Sequence, residues 1–237
     1  MISAIRRAAG WIKGGWMRQD EMDIALDHLL AKGFAPQVVL DVGSAKGYWS
    51  LRAAGRWKSA GFHMIDPLAE SEPSLTEICR KHSRFHYLLM AVGNRTGTVT
   101  MNVTPDFDGS SALDYPGADP SRQRQIPLDT IDNLLAAGKL PPPQFVKIDV
   151  QGFEMQVLEG GQKLFETTEV FIIETNLYRF MPDCPLLHEI VAYMAQRGYR
   201  MFDFAGTLRR PHQNDLAQVD VVFVSDKSPL VASNRWM

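Results

Sequence analysis

The sequence predicts an α/β fold of the doubly wound, Rossmann-like type, with a mainly parallel sheet and helices on both faces. Short β-branched runs alternate with helical segments along most of the chain, and this alternation produces right-handed crossovers between parallel strands. The run QVVLDV, bounded by Pro36 and Gly43, is typical of a buried strand because it is too short for a helix. The last two strand-like runs have no helix between them, so we expect an antiparallel C-terminal strand.

The composition is that of an ordinary globular protein. Of the 237 residues, 45% are hydrophobic and 22% are charged, which indicates one domain with a short appendage. We expect an N-terminal helical arm over residues 1–33 and a main domain over residues 34–237. A formal net charge of −2 argues against a dedicated nucleic-acid-binding protein. No run approaches the roughly 18 to 20 apolar residues that cross a bilayer. The two cysteines, Cys79 and Cys184, lack metal-ligand spacing and indicate reduced thiols in the cytoplasm.

The first nineteen residues contain four basic side chains and no acidic one, beside an apolar stripe at near-helical spacing. They have neither the longer apolar centre nor the cleavage site of a secretory signal. Two interpretations stand. The segment is a helix or arm that packs on the domain, or it makes a weak contact with a membrane surface or a partner through Trp11, Trp16 and the basic side chains.

The secondary structure is expected to follow the alternation in order. Asp20 is placed to cap a helix over residues 21–32, which Gly33 ends. Strands are expected at residues 37–42, 61–66, 84–92, 96–103, 144–150, 169–175, 198–204 and 218–224. Helices are expected at residues 48–57, 74–82, 128–137, 154–165 (as one helix or a pair) and 186–196. Residues 104–124 are rich in Pro, Gly, Asp and Ser, and a loop of this length is functional or mobile.

The turn after the first strand is the first candidate site, because ligands of such sheets bind beyond the carboxyl ends of the strands. It reads D-V-G-S-A-K-G over residues 41–47. Gly43 and Gly47 allow a tight turn and a close approach of a ligand to the backbone. A dinucleotide site would favour G-x-G-x-x-G, and the carboxylate of Asp41 would repel a pyrophosphate. That carboxylate suits the ammonium group of an amino-acid tail and the neighbourhood of a sulfonium, which indicates S-adenosylmethionine.

A second acid ends the next strand. Asp66 stands where a carboxylate accepts hydrogen bonds from both ribose hydroxyls, so it supports a nucleoside ligand without choosing between NAD and S-adenosylmethionine. The candidate cofactor-binding residues at these strand ends are Asp41, Gly43, Ser44, Gly47, Asp66, Pro67, Ala91 and Val92.

Several blocks of the sequence resemble the FkbM family of methyltransferases. VVLDVGSAKGYWSLRAA is similar to that family's glycine motif, FHMIDP to its second-strand acid and proline, and LLMAVGNRTGTVTMNV to its third strand. DGSSAL, IPLDTID and KIDVQGFEMQVLEGG resemble its later blocks, and together the blocks span roughly residues 38–175. Gln151 stands where the family commonly has an acid, and Asp66 stands where Glu is frequent. The resemblance implies the seven-stranded methyltransferase sheet and O-methylation of a hydroxyl on a sugar, glycan or secondary metabolite.

Such a reaction calls for a base, since a sugar hydroxyl is a weak nucleophile near neutral pH. The candidates are Asp149 and Glu174 at strand ends, Glu154 at a helix start and His212 in a late loop. Asp149 is the first choice, and Asp149 with Glu174 forms the predicted catalytic set. Glu154 has an alternative role as a cap or salt-bridge partner in its helix. His212 is also typical of a surface loop.

Three further groups are open to two interpretations each. The acids of the long loop indicate an acidic flap or a divalent-ion site, but their spacing is not that of an EF-hand and no metal site is predicted. These acids are Asp106, Asp108, Asp114 and Asp119. Arg209 and Arg210 are a solvated pair or a site for an anionic acceptor. Ser110 and Ser111 lie in the DGSSAL block, and only the resemblance implies that they approach the adenine or the acceptor.

Two other functions remain open from the sequence. One is an NAD(P)-dependent oxidoreductase on a similar sheet, which the missing G-x-G-x-x-G and the acid at Asp41 disfavour. The other is a non-catalytic binding protein that keeps the fold and uses the N-terminal arm for docking.

Overall fold

The structure is a computed structural model, and it describes residues 20–107, 109–114, 117–233 and 235–236. The helices of this part are α1 (Glu21–Ala31), α2 (Tyr48–Ala54), α3 (Glu72–Lys81), α4 (Ile131–Ala136), α5 (Glu154–Glu159), α6 (Leu164–Thr167) and α7 (Leu187–Ala195). The strands are β1 (Val38–Val42), β2 (Gly61–Asp66), β3 (Phe85–Leu89), β4 (Ala91–Val92), β5 (Gly97–Asn102), β6 (Gln123–Asp129), β7 (Phe145–Ile148), β8 (Val170–Asn176), β9 (Tyr199–Arg209) and β10 (Leu216–Ser225).

Seven of the strands form one sheet in the order β3-β2-β1-β7-β8-β10-β9. Neighbouring strands pair in parallel along the part of this order that contains β3, β2, β1, β7 and β8. The strand β10 lies antiparallel between β8 and β9. This confirms the predicted mainly parallel sheet and its antiparallel C-terminal strand. The strand order reverses between β1 and β7, and such a reversal opens a crevice at the carboxyl ends of the strands.

Apolar clusters cover both faces of this sheet. On one face, Leu26 and Leu29 of α1 are fully buried in a cluster that includes Phe145 of β7. On the other face, Leu158 of α5 and Ile190 of α7 are fully buried in a second cluster. The helix α1 begins where its cap was predicted, because the Asp20 carboxylate accepts a hydrogen bond from the Met22 amide at 3.0 Å. Its buried leucines make α1 part of the packed domain.

A second, smaller sheet has the order β4-β6-β5 and corrects two sequence predictions. The single strand predicted at residues 84–92 is wrong, since it is interrupted at Met90, whose amide donates to the carbonyl oxygen of Asp66. Beyond that point β4 leaves the large sheet and pairs with β6. The helix predicted at residues 128–137 is wrong at its start, because β6 continues to Asp129 and α4 begins at Ile131.

The strand β6 escaped prediction because only one of its faces is covered. Leu128 is buried and Ile126 partly so, whereas Arg124, Gln125 and Pro127 are exposed. A strand that carries polar residues and a proline at alternate positions has little apolar signal. The helix that follows is capped by Thr130, whose side chain accepts from the Asn133 amide. The predicted pair at residues 154–165 is observed as α5 and α6.

The structure bears on the prediction about membrane-spanning segments but does not describe most of the predicted N-terminal arm. Within the described ranges, no helix has the length and apolar character needed to span a bilayer. The predicted basic arm, with its contact through Trp11 and Trp16, lies at residues 1–19, outside the described residues. The rest of the predicted arm is α1.

Candidate active site

The carboxyl edge of the large sheet opens into a cavity of about 780 Å³. Its walls come from the turns after β1, β2, β3, β7 and β8, from the connection between β9 and β10, and from the loop after β5. A cavity of this size is typical of a site for a cofactor or small molecule. The crevice predicted from the alternation of strands and helices is therefore present, and the predicted loop at residues 104–124 contributes to its rim.

The turn between β1 and α2 has three residues with positive φ. The φ angles are 79° at Gly43, 47° at Ala45 and 75° at Gly47. The amides of Gly43 and Ser44 both donate to the carbonyl oxygen of Ile65 in β2, at 2.9 and 3.1 Å. These bonds hold the turn at the end of the sheet, where Gly43, Ser44 and Ala45 line the cavity.

The two glycines of this turn are required by the packing of the protein itself. A Cβ atom on Gly43 would lie 1.9 Å from the carbonyl oxygen of Asp149, and one on Gly47 would lie 2.6 Å from the side chain of Ile78. The Gly43 contact is with main-chain atoms and leaves no room for a side chain. At Gly47 the contact is with the flexible end of Ile78, and the positive φ of 75° also favours glycine. The close approach of a ligand predicted for both glycines is not observed at Gly47, which is buried behind the turn and is not among the cavity-lining residues.

Asp66 lies where the sequence placed it, at the cavity wall. Its two carboxylate oxygens accept from the amides of Ala45 at 2.8 Å and Leu68 at 3.0 Å. These bonds fix the orientation of the carboxylate beside the cavity, and Pro67 and Leu68 line the wall next to it. Ala91 and Val92 also line the cavity, as predicted for a strand end.

The hydroxyl of Ser44 is a polar group without a partner. Ser44 is 5% exposed, it lines the cavity, and its Oγ atom has no hydrogen-bond partner within the described part of the chain. Buried polar groups are nearly always hydrogen-bonded. The Ser44 hydroxyl is thus a buried, unsatisfied polar group beside the cavity wall.

Asp41 lies behind the cavity wall. It is fully buried, its Oδ2 accepts from the Ser50 hydroxyl at 2.7 Å, and it does not line the cavity. Burial raises the pKa of Asp41 to about 6, although the nearby charge of Lys147 and the Ser50 bond oppose this rise. The carboxylate that was expected to grip a cationic ligand therefore faces α2 and β7 instead of the cavity.

A buried ion pair stands at the end of β7. Lys147 is 6% exposed, and its Nζ donates to Oδ2 of Asp149 at 3.0 Å. Burial alone would lower the pKa of Lys147, but the carboxylates of Asp149, Asp41 and Asp220 together raise it above its ordinary value. Lys147 therefore stays charged at physiological pH. Asp149 lines the cavity, as the sequence predicted for its carboxylate.

A glutamine connects the two predicted catalytic acids. The Nε2 atom of Gln151 lies 2.8 Å from Oδ1 of Asp149 and 2.8 Å from Oε2 of Glu174. Glu174 is 1% exposed and also accepts from Gln218 at 3.1 Å. It does not line the cavity, whereas Gln151 and Gln218 do. The structure thus joins Asp149 and Glu174 through one amide, with only Asp149 on the cavity wall.

Glu154 caps the loop that carries Gln151. It is fully buried, and its Oε1 accepts from the amides of Val150 at 3.2 Å and Gly152 at 3.0 Å. Burial raises the pKa of Glu154 to about 7. The carboxylate does not reach the cavity. Its contacts are therefore those of the capping role and not those of a base.

The remaining sequence candidates separate into two sets. Ser110, Asp106, Arg209 and Arg210 line the cavity. Ser111, His212, Asp114 and Asp119 do not, and Asp108 lies outside the described residues. No three His, Cys, Asp or Glu side chains of the described chain are grouped as a metal ion would need.

Several cavity residues were not predicted from the sequence. Lys147 had a signal, because a lysine inside the apolar strand FVKI is unusual. Asn176 and Gln218 face the cavity from β8 and β10, and their Oδ1 and Nε2 atoms are bonded to each other at 3.1 Å. The exposed rings of Tyr48 and Phe180 form an aromatic rim. No local pattern marks these four residues, because only the sheet order brings them together.

Comparisons with known proteins agree with this arrangement. The family model described as the methyltransferase FkbM domain matches residues 41–201. No match is found among curated protein sequences. Solved structures of similar fold include an rRNA methylase from Streptococcus thermophilus, with a TM-score of 0.50, 12% identity and coverage of 89% of this chain and 99% of that one.

A second similar structure is M. capricolum TrmK in complex with S-adenosyl-homocysteine. Its TM-score is 0.50 at 10% identity, and the match covers 86% of this chain and 68% of that one. An uncharacterized protein from Listeria monocytogenes serotype 4b matches with a TM-score of 0.50 and 11% identity, over 92% of this chain and 72% of that one. At these identities the likeness shows the fold alone.

The family match spans most of the chain and contains the turn after β1, Asp66, Asp149 and Glu174. The resemblance found in the sequence and the expected cofactor are thereby confirmed at the level of the family. The chain belongs to the FkbM family of methyltransferases, and its cofactor is S-adenosylmethionine.

Proposed function

We propose that this protein methylates a hydroxyl group of a sugar, a glycan or a secondary metabolite. One observation carries the proposal. The Asp149 carboxylate, held by Lys147 and Gln151, lines the same cavity as the turn after β1 and the Asp66 carboxylate. A hydrogen-bond acceptor for a hydroxyl proton and a wall suited to a nucleoside therefore share one space.

The residues on the β1 and β2 side of the cavity fit the cofactor. Ser44 and Ala45 of the turn line the space proposed for the amino-acid tail, and Asp66 offers its carboxylate to the ribose hydroxyls. Met90, Ala91 and Phe153 supply apolar surface for an adenine ring. When bound, S-adenosylmethionine would supply an electrophilic methyl group on a cationic sulfur, and breaking that sulfur–methyl bond would leave neutral S-adenosylhomocysteine. Asp41 contributes negative charge from behind the wall and makes no direct contact in this proposal.

The other side of the cavity fits a hydroxylated acceptor. Asp149, Gln151, Asn176 and Gln218 present carboxylate and amide groups on its floor, and such groups bind several hydroxyls of one molecule at once. Tyr48 is 65% exposed and Phe180 is 42% exposed at its rim. Exposed aromatic faces pack against the apolar face of a sugar ring or against an aromatic metabolite.

Asp149 is the residue proposed to act on the acceptor. Its carboxylate accepts the hydrogen bond of the acceptor hydroxyl and takes the proton as the oxygen forms its new bond to carbon. Lys147 stays charged beside Asp149 and keeps the carboxylate in one orientation. Glu174, which does not line the cavity, is linked to Asp149 through the Gln151 amide. We place the reaction in the cytoplasm, consistent with the free thiols of Cys79 and Cys184.

The first test is isothermal titration calorimetry with S-adenosylhomocysteine and, as a negative control, NADH. We expect saturable binding of the first and none of the second. No heat with S-adenosylhomocysteine, or binding of NADH in its place, would contradict the proposal.

The second test identifies the acceptor class with a methyl-labelled donor. Wild-type protein and Asp149→Asn are incubated with separate pools of glycans, hydroxylated metabolites and RNA. We expect label in a glycan or metabolite pool, and a loss of about 100-fold or more in Asp149→Asn with unchanged S-adenosylhomocysteine binding. Label in RNA alone would replace the proposed acceptor, and binding without transfer to any pool would favour a non-catalytic protein.

A further inference from the structure

The Gln151 side chain donates two hydrogen bonds from one neutral amide nitrogen. Its Nε2 carries two hydrogens, and it lies 2.8 Å from a carboxylate oxygen of Asp149 and 2.8 Å from one of Glu174. Both acceptors are carboxylates, so both bonds belong to the stronger, charge-assisted class. One nitrogen atom therefore links the end of β7 to β8 across the cavity floor.

The backbone holds this amide in a conformation that glutamine rarely adopts. Gln151 has a φ of 55° and is followed by Gly152 at 101°. The carbonyl oxygen of Gln151 accepts from the Ser111 hydroxyl at 2.7 Å, and Glu154 accepts from the amides on either side of Gln151. A non-glycine residue with positive φ costs about 1 kcal/mol or more and persists where the surroundings determine it. The strained position thus directs the amide to the two carboxylates.

The groups around this amide carry more negative than positive charge. Lys147 lies on β7 and Asp149 directly after it, and the carboxylates of Asp41 on β1 and Asp220 on β10 also raise the pKa of Lys147. Glu174 lies on β8, and Glu154 of α5 senses the charge of Asp149. A cluster of this kind tolerates a neutral donor far better than a further carboxylate, since like charges at short range disfavour the ionised form.

We propose that Gln151 is a positioning residue of the methyl-transfer site, whose amide keeps Asp149 and Glu174 together as hydrogen-bond acceptors so that Asp149 faces the acceptor hydroxyl. The inference rests on the proposed function, because it gives Asp149 its role there. It goes beyond that function because it states that Gln151, which transfers no proton, orients the Asp149 carboxylate.

Two substitutions separate the charge of this side chain from its reach. Gln151→Glu keeps the length and shape but replaces two donors with a third carboxylate, so the three acids are expected to retain a shared proton near neutral pH. Gln151→Asn keeps the amide and suits the positive φ, but it is one methylene shorter and cannot span both carboxylates. Gln125→Glu is the matched control, since Gln125 is exposed on β6 and does not line the cavity.

The experiment measures proton release on ligand binding by calorimetry at pH 7, in phosphate and in Tris buffer. The ligands are S-adenosylhomocysteine and sinefungin, which carries an ammonium group where the cofactor carries its methyl group. A cation placed beside three carboxyl groups lowers their affinity for the shared proton. We therefore expect Gln151→Glu to release about half to one proton more than wild type with sinefungin and not with S-adenosylhomocysteine.

The variants and ligands together keep the outcomes distinct. Gln125→Glu is expected to match wild type with both ligands, and Gln151→Asn to show no additional proton release while losing most of its methyl-transfer rate. Wild-type proton release in Gln151→Glu with both ligands bound would overturn the role of Gln151 and leave the proposed function standing. Failure of the wild type to bind either ligand would overturn the proposed function itself.

Discussion

Gly43 and Asp149 meet backbone to backbone at the carboxyl edge of the sheet. A Cβ atom on Gly43 would lie 1.9 Å from the carbonyl oxygen of Asp149 and 2.8 Å from its carbonyl carbon. The turn after β1 and the end of β7 therefore pack with no space for a side chain between them. This contact sets the position of the Asp149 carboxylate relative to the turn that lines the cofactor side of the cavity.

Gly43→Ala is accordingly expected to destabilise the protein and to abolish cofactor binding. The overlap with main-chain atoms requires β7 or the turn to move, at a cost of about 3 kcal/mol or more. Gly33→Ala is the matched control, since Gly33 has a φ of 87° and a Cβ there would meet nothing within 4 Å. That control is expected to lose only about 1 kcal/mol. Urea unfolding of both variants compares the costs, and equal losses would mean that the contact with Asp149 is unimportant.

Asp66→Ala is expected to weaken S-adenosylhomocysteine binding by about 100-fold, because hydrogen bonds to a charged group contribute about 1.5 to 3 kcal/mol each. Asp66→Asn should also weaken binding. Both carboxylate oxygens accept from main-chain amides, and an asparagine would turn its NH2 group towards one of these donors. Calorimetric titration measures both, with Asp119→Ala, an acid away from the cavity, as the control. Unchanged affinity in Asp66→Ala would remove Asp66 from the binding site.

Glu154 is expected to make the stability of the protein fall as pH rises. Its pKa is raised from an ordinary value of 4.5 to about 7 in the folded protein. The folded state therefore holds this proton where the unfolded chain has lost it, and stability is lost as pH rises from about 4.5 to about 7. The contribution is about 3 kcal/mol. Asp41 adds to the trend with the same sign, since its pKa is also raised.

Glu154→Gln separates the cap from the charge. A glutamine oxygen still accepts from the Val150 and Gly152 amides, so the variant should fold and should lose part of the pH dependence between pH 5 and pH 8. Glu154→Ala leaves both amides unsatisfied and is expected to lose about 2 to 4 kcal/mol. Urea unfolding at the two pH values measures both effects. The same pH slope in Glu154→Gln as in wild type would contradict the assignment.

Tyr48→Ala and Phe180→Ala are expected to lower the rate with the acceptor while leaving S-adenosylhomocysteine affinity nearly unchanged. Each ring lies exposed at the rim on the side assigned to the acceptor, and loss of one stacking contact corresponds to roughly a 3- to 10-fold decrease in kcat/KM. Leu51→Ala is the control, because Leu51 is similarly exposed but does not line the cavity. A larger loss of cofactor affinity than of acceptor turnover would mean that Tyr48 and Phe180 contact the cofactor and not the acceptor.

Local patterns sufficed for most strands of the large sheet. The strands β1, β2, β7, β8 and β10 are buried on both faces or nearly so, and such strands produce short apolar runs between turn residues. The helix cap Asp20 is a side chain bonded two residues ahead, which is also local. The strand β6 was not predicted because at least half of its residues face solvent and its partners are distant in the sequence.

The site was predicted in part for the same reason. Asp66 and Asp149 stand at strand ends, and strand ends were visible in the sequence. Gln218 and Gln151 reach Glu174 from elements that are separated along the chain, and no spacing rule connects them. The capping role of Glu154 was recognised as an alternative because a helix start favours an acid.

The sequence by itself determined the alternation of strands and helices in most of the large sheet, the position of the glycine turn and the presence of a carboxylate after several strands. Each of these depends on neighbouring residues and on strand or helix periodicity. Only the tertiary structure decided which carboxylates face the cavity. Asp41 pairs in register with Lys147 and Asp149 follows Lys147 by two residues, so these side chains share one face of the sheet. Asp41 lies inside β1 and accepts from Ser50, whereas Asp149 lies just beyond the end of β7 and lines the cavity. The packing of the whole sheet therefore decides which carboxylates a ligand of the cavity can contact.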